Sequence, residues 1–99
     1  MKVVINRCYG GFSLSEDAYK FLGLEWDGYG NYGYHSGRDD RINSKLVECV
    51  ETLGKRANGR FADLKIVELP DSTTDWRITE YDGSEYITAV VDGKLVDIY

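Results

Sequence analysis

Two Asp-Gly pairs in the last third of the chain constrain its fold more than any other feature. Asp82-Gly83 and Asp92-Gly93 each stand between segments in which apolar and polar residues alternate. An Asp-Gly pair is a strong signal for a two-residue hairpin loop, because both residues of the favoured loop need a positive φ angle. The two pairs therefore predict a meander of three antiparallel strands.

The two predicted loops together fix a register. The first loop places Ile78 opposite Ile87 and the second places Ile87 opposite Ile98, so both loops put the same side chains on one face of the sheet. The predicted inner face of the meander consists of Trp76, Ile78, Ile87, Ala89, Val91, Val96 and Ile98. The predicted outer face consists of Arg77, Thr79, Tyr81, Tyr86, Thr88, Val90, Leu95, Asp97 and Tyr99. That outer face is rich in tyrosine for a surface in contact with water.

The rest of the chain predicts two further strands and two helices. Residues 2–8 form a β-branched run, and the segment LKIVEL is also typical of a strand. Ser13 and Glu16 have the spacing of a capping box at the start of one helix, and a second helix is predicted over residues 43–53. These elements predict an α+β two-layer sandwich, with a mainly antiparallel sheet of about four to five strands and two helices covering the inner face of the meander.

The length and composition predict one domain over residues 1–99, with a Gly/Tyr-rich loop insertion at about residues 24–40. An apolar fraction of 42% and a single proline are typical of a soluble globular protein. No apolar run approaches the roughly 20 residues of a membrane span, and the first residues lack the features of a signal peptide. We therefore expect a cytoplasmic protein without membrane contact, in which Cys8 and Cys49 are free thiols.

The negative charge is concentrated toward the C-terminus. Residues 1–60 carry nine Lys or Arg and eight Asp or Glu, whereas residues 61–99 carry three and nine, and the formal net charge is −5. A surface of this sign repels phosphate backbones. We therefore expect no direct binding to nucleic acid.

The segment INRCYGGFSLSE, residues 5–16, passes from a strand through a Gly-rich bend into a helix, an arrangement that can hold a nucleophile or a phosphate. In the loop of a protein tyrosine phosphatase, five residues separate the cysteine from an arginine that binds the phosphate. Counted from Cys8, the position of that arginine is occupied by Leu14. A pair of Cys8 with His35 has no third residue to orient it. We expect Cys8 to be structural, and we expect the protein to be neither an enzyme nor dependent on a cofactor or metal. An enzyme that uses Cys8 is an alternative, besides the protein-binding and small-molecule-binding functions considered below.

Two clusters of charged residues have ordinary explanations. Glu80, Asp82 and Glu85 would meet at the end of the first hairpin, where a solvated edge is usual and a calcium site would need six or more oxygens. In the sequence RDDR, residues 38–41, arginines flank two aspartates, which favours local ion pairs. Neither cluster predicts a metal site or a catalytic pair.

The Gly/Tyr-rich loop is a candidate for protein recognition. Glycine interleaved with tyrosine is typical of recognition loops, because tyrosine brings a large amphipathic contact area at low entropic cost. The alternative is a loop that folds back as a roof over the core. The predicted partner-binding residues, from this loop and from the outer face of the meander, are Trp26, Tyr29, Tyr32, Tyr34, Tyr81, Tyr86, Asp97 and Tyr99.

Four segments, VINRCYGGFSLS, LVECVETLG, ANGRFADLKIVELPD and ITEYDGSEY, resemble a family of small phage and prophage proteins. The resemblance covers most of the chain outside residues 24–40 and brings no assigned chemistry. The positions that match the family motifs are Asn6, Cys8, Tyr9, Gly10, Gly11, Phe12, Ser15, Ala57, Asn58, Gly59, Glu80, Tyr81, Asp82 and Gly83. The chain departs from the family in the loop insertion and in its last strand, GKLVDIY.

A phage origin and an acidic surface together imply a protein that binds and inhibits a host protein in the host cytoplasm. The leading hypothesis is an anti-CRISPR-like inhibitor of a defence nuclease such as a CRISPR effector, because an acidic protein can occlude a basic surface built for phosphates. The alternative is a small-molecule binding or sequestering protein with a pocket under the aromatic loop. The sequence leaves the host target and the oligomeric state open.

Overall fold

The computed structural model of the protein describes residues 1–26, 28 and 38–99. The strands are β1 (Lys2–Asn6), β2 (Leu64–Glu68), β3 (Thr73–Tyr81), β4 (Ser84–Val91) and β5 (Lys94–Ile98). The helices are α1 (Glu16–Leu22), α2 (Arg38–Arg41) and α3 (Ser44–Leu53), and a 3-10 turn (Gly54–Ala57) follows α3. Within these ranges, no helix is long and apolar enough to cross a lipid bilayer.

The strands form two antiparallel sheets, so the α+β class is confirmed and the single sheet of four to five strands is wrong. β1 pairs with β2, with Val3 opposite Val67 and Ile5 opposite Lys65. β3, β4 and β5 form the second sheet in that order. The chain therefore divides its five described strands between a two-stranded sheet and the meander.

The meander has the register that its two Asp-Gly pairs predict. Ile78 lies opposite Ile87, and Ile87 lies opposite Ile98. Both loops have two residues with positive φ, at 52° and 91° for Asp82-Gly83 and at 52° and 78° for Asp92-Gly93. These angles belong to the type I′ turn, whose twist matches that of the flanking strands.

The β1–β2 sheet lies between the meander and the helices. On one side, Val3 and Ile5 share a core with Trp76 and Ile87 of the meander. On the other side, the core is formed by Val4, Leu14, Ala18, Tyr19, Leu46, Val47, Cys49, Val50 and Ala57. The three consecutive residues at the centre of β1 are all 0% exposed, and a strand with apolar side chains on both faces needs cover on both. The prediction that helices cover the inner face of the meander is therefore wrong, because the β1–β2 sheet covers it.

Capping residues fix the ends of α1 and α3. Ser15, rather than Ser13, is the N-cap of α1, and its Oγ accepts a hydrogen bond from the Ala18 N–H at 3.1 Å. α1 ends at Gly23, whose φ of 72° is left-handed. The Asn43 Oδ1 caps α3 by accepting hydrogen bonds from the backbone N–H groups of Lys45 and Leu46, at 2.9 and 3.3 Å. The two N-cap side chains satisfy backbone N–H groups that have no partner within their helices.

The buried thiol of Cys49 is expected to make the stability of the fold depend on pH in the alkaline range. The thiol lies fully buried on α3, and burial raises its pKa from 9.0 to about 11. The unfolded chain releases this proton at lower pH than the folded chain, so the stabilisation is complete below about pH 9 and decreases as the pH rises toward 11. By about pH 10.5 the free energy of unfolding is expected to have decreased by roughly 2 kcal/mol through this group.

The measurement is urea denaturation of the wild type and of Cys49→Ala between pH 8 and about pH 10.5. Since tyrosines and lysines titrate in the same range, the difference between the two proteins is the informative quantity. A decline of equal size in both proteins would show that Cys49 has no part in it.

Candidate interaction surface

A buried asparagine ties three segments together at one end of the molecule. Asn6 is fully buried, and its Nδ2 donates to the carbonyl oxygens of Cys8 and Gly83 at 2.6 and 2.8 Å. Its Oδ1 accepts from the Asp63 N–H at 2.8 Å. The partners lie in the bend after β1, in the β3–β4 loop and in the segment before β2. One amide side chain therefore sets the relative positions of all three segments.

Three glycines let the backbones of these segments approach one another. A β-carbon at Gly10 would overlap Phe61, and one at Gly83 would overlap the carbonyl oxygen of Tyr9. Gly59 is crowded in the same way. We call Asn6 and these three glycines the loop junction. All four stand in the segments INRCYGGFSLSE, ANG and EYDG of the sequence, so these segments build a contact between loops.

Cys8 takes part in the loop junction through its backbone. Its carbonyl oxygen accepts from the Gly11 N–H at 3.4 Å in addition to the bond from Asn6, and its thiol is half-buried. Among the described residues, no group of three or more His, Cys, Asp or Glu side chains is placed to hold a metal ion. His35, the other member of the cysteine–histidine pair considered from the sequence, lies outside those residues. That Cys8 is structural and not a reactive thiol stays a prediction.

A buried ion pair joins α2 to the meander. The Arg41 guanidinium donates two hydrogen bonds of 2.6 and 2.8 Å to the Glu85 carboxylate, and the two side chains are 5% and 8% exposed. The centre of the Phe12 ring lies 3.7 Å from the guanidinium carbon. Arg41 also donates to the Val4 carbonyl at 3.3 Å, and Glu85 accepts from the Asn6 N–H at 2.7 Å. The pair therefore bonds to β1 at two points while it holds α2 against β4.

This pair corrects two sequence interpretations. The predicted position of Glu85 at a solvated hairpin edge is wrong, and so is the prediction that the arginines of α2 form local ion pairs. Arg41 pairs with Glu85, and Arg38 pairs with Asp75 at 3.5 Å. The alternation of β4 carries a signal for this, because residue 85 shares the inner face with Ile87, and an acidic side chain buried there needs a cation. The cation lies 44 residues away in the sequence, which no local pattern reveals.

The outer face of the meander exposes large side chains. Tyr81 is 75% exposed, Leu95 74% and Tyr99 56%. Tyr81 and Tyr99, both predicted as partner-binding residues, are therefore accessible to a partner.

The other two outer-face candidates, Tyr86 and Asp97, have defined neighbours. The rings of Tyr86 and Tyr99 stack with their centres 5.2 Å apart, and the Arg7 guanidinium lies 5.1 Å from the centre of the Tyr99 ring. Asp97 is exposed and accepts from the Thr88 hydroxyl at 3.1 Å. These contacts hold the side chains in one arrangement, which reduces the entropy that binding would remove.

The segment that forms the meander carries the negative charge of the protein. Residues 71–99 contain seven Asp or Glu and two Lys or Arg, a net charge of −5 that equals the net charge of the whole chain. Glu85 is buried against Arg41, and the other six acidic residues of this segment are exposed. The meander therefore combines exposed aromatic side chains with an excess of exposed carboxylates.

The Gly/Tyr-rich loop is described in part. Tyr29, Tyr32 and Tyr34 lie outside the described residues, as do the contacts predicted for them. The Trp26 ring meets the buried Tyr19 ring edge-on, with the centres 5.1 Å apart and the planes at 89°, and Trp26 is 39% exposed. Trp26 therefore covers part of the core, as the roof alternative expects, while one part of the ring stays accessible.

A cavity of about 350 Å³ lies beside Trp26. Its lining residues are Leu14, Ser15, Trp26, Gly28, Asn58, Gly59 and Arg60. This volume is at the lower end of the range found for small-molecule sites. Two of these residues, Trp26 and Gly28, belong to the Gly/Tyr-rich loop.

Two exposed aromatic residues at the loop junction are not among the predicted partner-binding residues. Tyr9 is 69% exposed and Phe61 68%. Phe61 has a φ of 64°, a left-handed conformation that costs an L-residue roughly 1–2 kcal/mol. The backbone of Tyr9 approaches Gly83 in the β3–β4 loop, and Phe61 approaches Gly10, so both residues lie at the loop junction. Their position beside glycine turns is the one signal that the sequence holds for them.

Comparisons of the chain with protein-family models, with curated proteins and with solved structures gave no match.

Proposed function

We propose that this protein binds another protein through the outer face of the meander and thereby blocks a basic surface of that partner. The observation that carries the proposal is the coincidence of a net charge of −5 in residues 71–99 with the exposure of Tyr81, Leu95 and Tyr99 on one face of the same sheet. The aromatic side chains would supply contact area, and the carboxylates would direct the encounter toward cations.

The proposed partner is a host defence nuclease such as a CRISPR effector. Nucleases of this kind hold nucleic acid in a positively charged channel, and an acidic surface competes with phosphates for the same cations. The resemblance of the loop-junction motifs to phage proteins supports this choice of partner. An inhibitor of this type needs no catalytic residue and no cofactor, since it acts by occupying the channel.

The test measures the binding of a purified, guide-loaded CRISPR effector to the immobilised protein, with three single variants. Tyr81→Ala is expected to weaken binding by about 30-fold, which corresponds to the roughly 2 kcal/mol of an aromatic hot spot. Asp97→Ala is expected to slow association at low salt and to matter less at high salt. Phe21→Ala, which removes a 39% exposed aromatic residue from α1, is the control and should bind as the wild type does.

The melting temperatures of Tyr81→Ala and Asp97→Ala are expected to change little, because substitutions of exposed side chains usually alter stability by less than about 0.5 kcal/mol. Unchanged binding by both variants would contradict the proposed surface. Failure of the wild type to bind any effector of a panel would contradict the proposed partner.

The second candidate function is the binding of a small molecule in the cavity beside Trp26. The volume of about 350 Å³ and the partly accessible indole ring favour it. A ligand in this cavity would raise the melting temperature and quench or shift the fluorescence of Trp26. Screening a library of metabolites by melting temperature, with Trp26→Phe as the control, distinguishes this function from protein binding.

A further inference from the structure

The free edges of two strands are covered by side chains. On the free side of β3, the Arg38 guanidinium donates to the Trp76 carbonyl at 2.9 Å, and the Asp75 carboxylate accepts from the Trp76 N–H at 2.9 Å. On the free side of β1, the buried ion pair bonds to the Val4 carbonyl and to the Asn6 N–H. Covering an edge in this way prevents another strand from pairing with it.

The outer edge of β5 lacks this protection in the described part of the chain. Val91 and Lys94 flank a two-residue loop, so they form a hydrogen-bonded pair, and such pairs alternate along an antiparallel ladder. Leu95 and Asp97 therefore direct their N–H and C=O groups away from β4. No hydrogen bond from another described residue reaches these backbone groups, and Lys94 to Asp97 are all exposed.

The side chains of β5 also favour the addition of a strand. Leu95 is 74% exposed on the outer face, and Val96 is 38% exposed on the inner face. Asp97 lies on the outer face and is the acidic residue at the centre of this edge. A strand beside β5 would cover both apolar side chains and would place one of its own side chains next to the Asp97 carboxylate.

We propose that β5 is the docking edge for the partner, which adds an extended segment as a fourth strand of the meander. This inference rests on the proposed function and gives its mode of binding. The backbone groups of Leu95 and Asp97 would supply the hydrogen bonds, as in other cases of strand addition. The segment would carry Lys or Arg opposite Asp97, because the net charge of −5 in residues 71–99 selects a basic partner, and a β-branched apolar residue opposite Val96.

The probe is a ten-residue peptide of alternating Lys and Val in which every valine nitrogen is methylated. Methylation leaves one pairing edge and prevents the peptide from associating with itself. At low salt, this peptide is expected to shift the amide resonances of Leu95 and Asp97 and to slow their hydrogen exchange. The same peptide methylated at every nitrogen keeps the charge but has no backbone donors, and it is expected to bind at least about tenfold more weakly.

Leu95→Pro and Leu95→Ala form a matched pair of variants. Both remove the leucine side chain, but proline also removes the outward N–H, which takes no part in the ladder with β4. We expect Leu95→Ala to weaken peptide binding through the lost apolar contact and Leu95→Pro to abolish it, with both proteins folded by their amide spectra.

Four results would overturn the proposal: equal binding of the two peptides, resonance shifts at Trp76 instead of at β5, no binding at any concentration, or dimerisation of the protein itself through β5. The same two variants separate this inference from the proposed function. If Leu95→Pro binds the CRISPR effector as Leu95→Ala does, the effector uses the outer face without the edge, and the proposed function stands while the strand addition fails.

Discussion

Replacing Glu85 by glutamine is expected to lower the free energy of unfolding by about 3–5 kcal/mol, a large part of the roughly 5–15 kcal/mol that stabilises a typical domain. Glutamine keeps the size of the side chain and one acceptor oxygen, but it removes the negative charge that faces the buried Arg41 guanidinium. The two short hydrogen bonds and the exposure of only 5% and 8% are the reason to expect a large effect. Urea denaturation at neutral pH measures the difference.

A surface ion pair provides the matched control. Lys2 and Glu51 lie 2.7 Å apart, as close as the buried pair, but their side chains are 48% and 46% exposed. Glu51→Gln is expected to lower the free energy of unfolding by less than about 1 kcal/mol, because water screens this exposed pair in the folded protein. Equal losses for Glu85→Gln and Glu51→Gln would show that burial of the Arg41–Glu85 pair has no energetic consequence.

The double variant Arg41→Met with Glu85→Leu tests the origin of that loss. It removes both charges and fills the space with apolar side chains, so it is expected to be more stable than Glu85→Gln. A double variant that is less stable than Glu85→Gln would indicate that the hydrogen bonds to β1, rather than the buried charge, dominate the effect.

Replacing Gly83 by alanine is expected to destabilise the fold by about 3–5 kcal/mol, whereas the same change at Gly93 is expected to cost about 1 kcal/mol. The two glycines occupy the same position in two loops of the same type, with φ of 91° and 78°. A β-carbon at Gly93 has no atom within 4 Å, but one at Gly83 would lie 2.6 Å from the Gly11 nitrogen and would overlap the Tyr9 carbonyl. The difference between the variants therefore reports the loop junction alone.

Thermal unfolding of both variants gives this difference, and the amide resonances of Asn6 and Cys8 report whether the junction has opened. Gly83→Ala is expected to shift these resonances and Gly93→Ala to leave them unchanged. Equal destabilisation by the two substitutions would mean that the backbone contact at Gly83 adds nothing to the cost of the left-handed conformation.

The sequence by itself determines the meander. Two loops of two residues, each with an aspartate and a glycine that tolerate positive φ, set the pairing of all three strands, and the alternation of side chains then sets both faces. This information is local, since each loop joins neighbouring strands. For the same reason, the exposure of Tyr81 and Tyr99 and the α+β class follow from sequence patterns, as do the ends of α1 and α3 at glycines.

Only the tertiary structure decides how the meander is covered and how its edges are protected. The Asp-Gly loops contain no information on the positions of β1 and β2. Three consecutive residues of β1 are buried because the β1–β2 sheet lies between the meander and the helices. The pairing of Arg41 with Glu85 and the contact of Tyr9 with Gly83 join residues 44 and 74 positions apart. Such pairs form because a buried charge needs a counter-charge and a close backbone approach excludes a β-carbon, and both requirements arise only when distant segments meet.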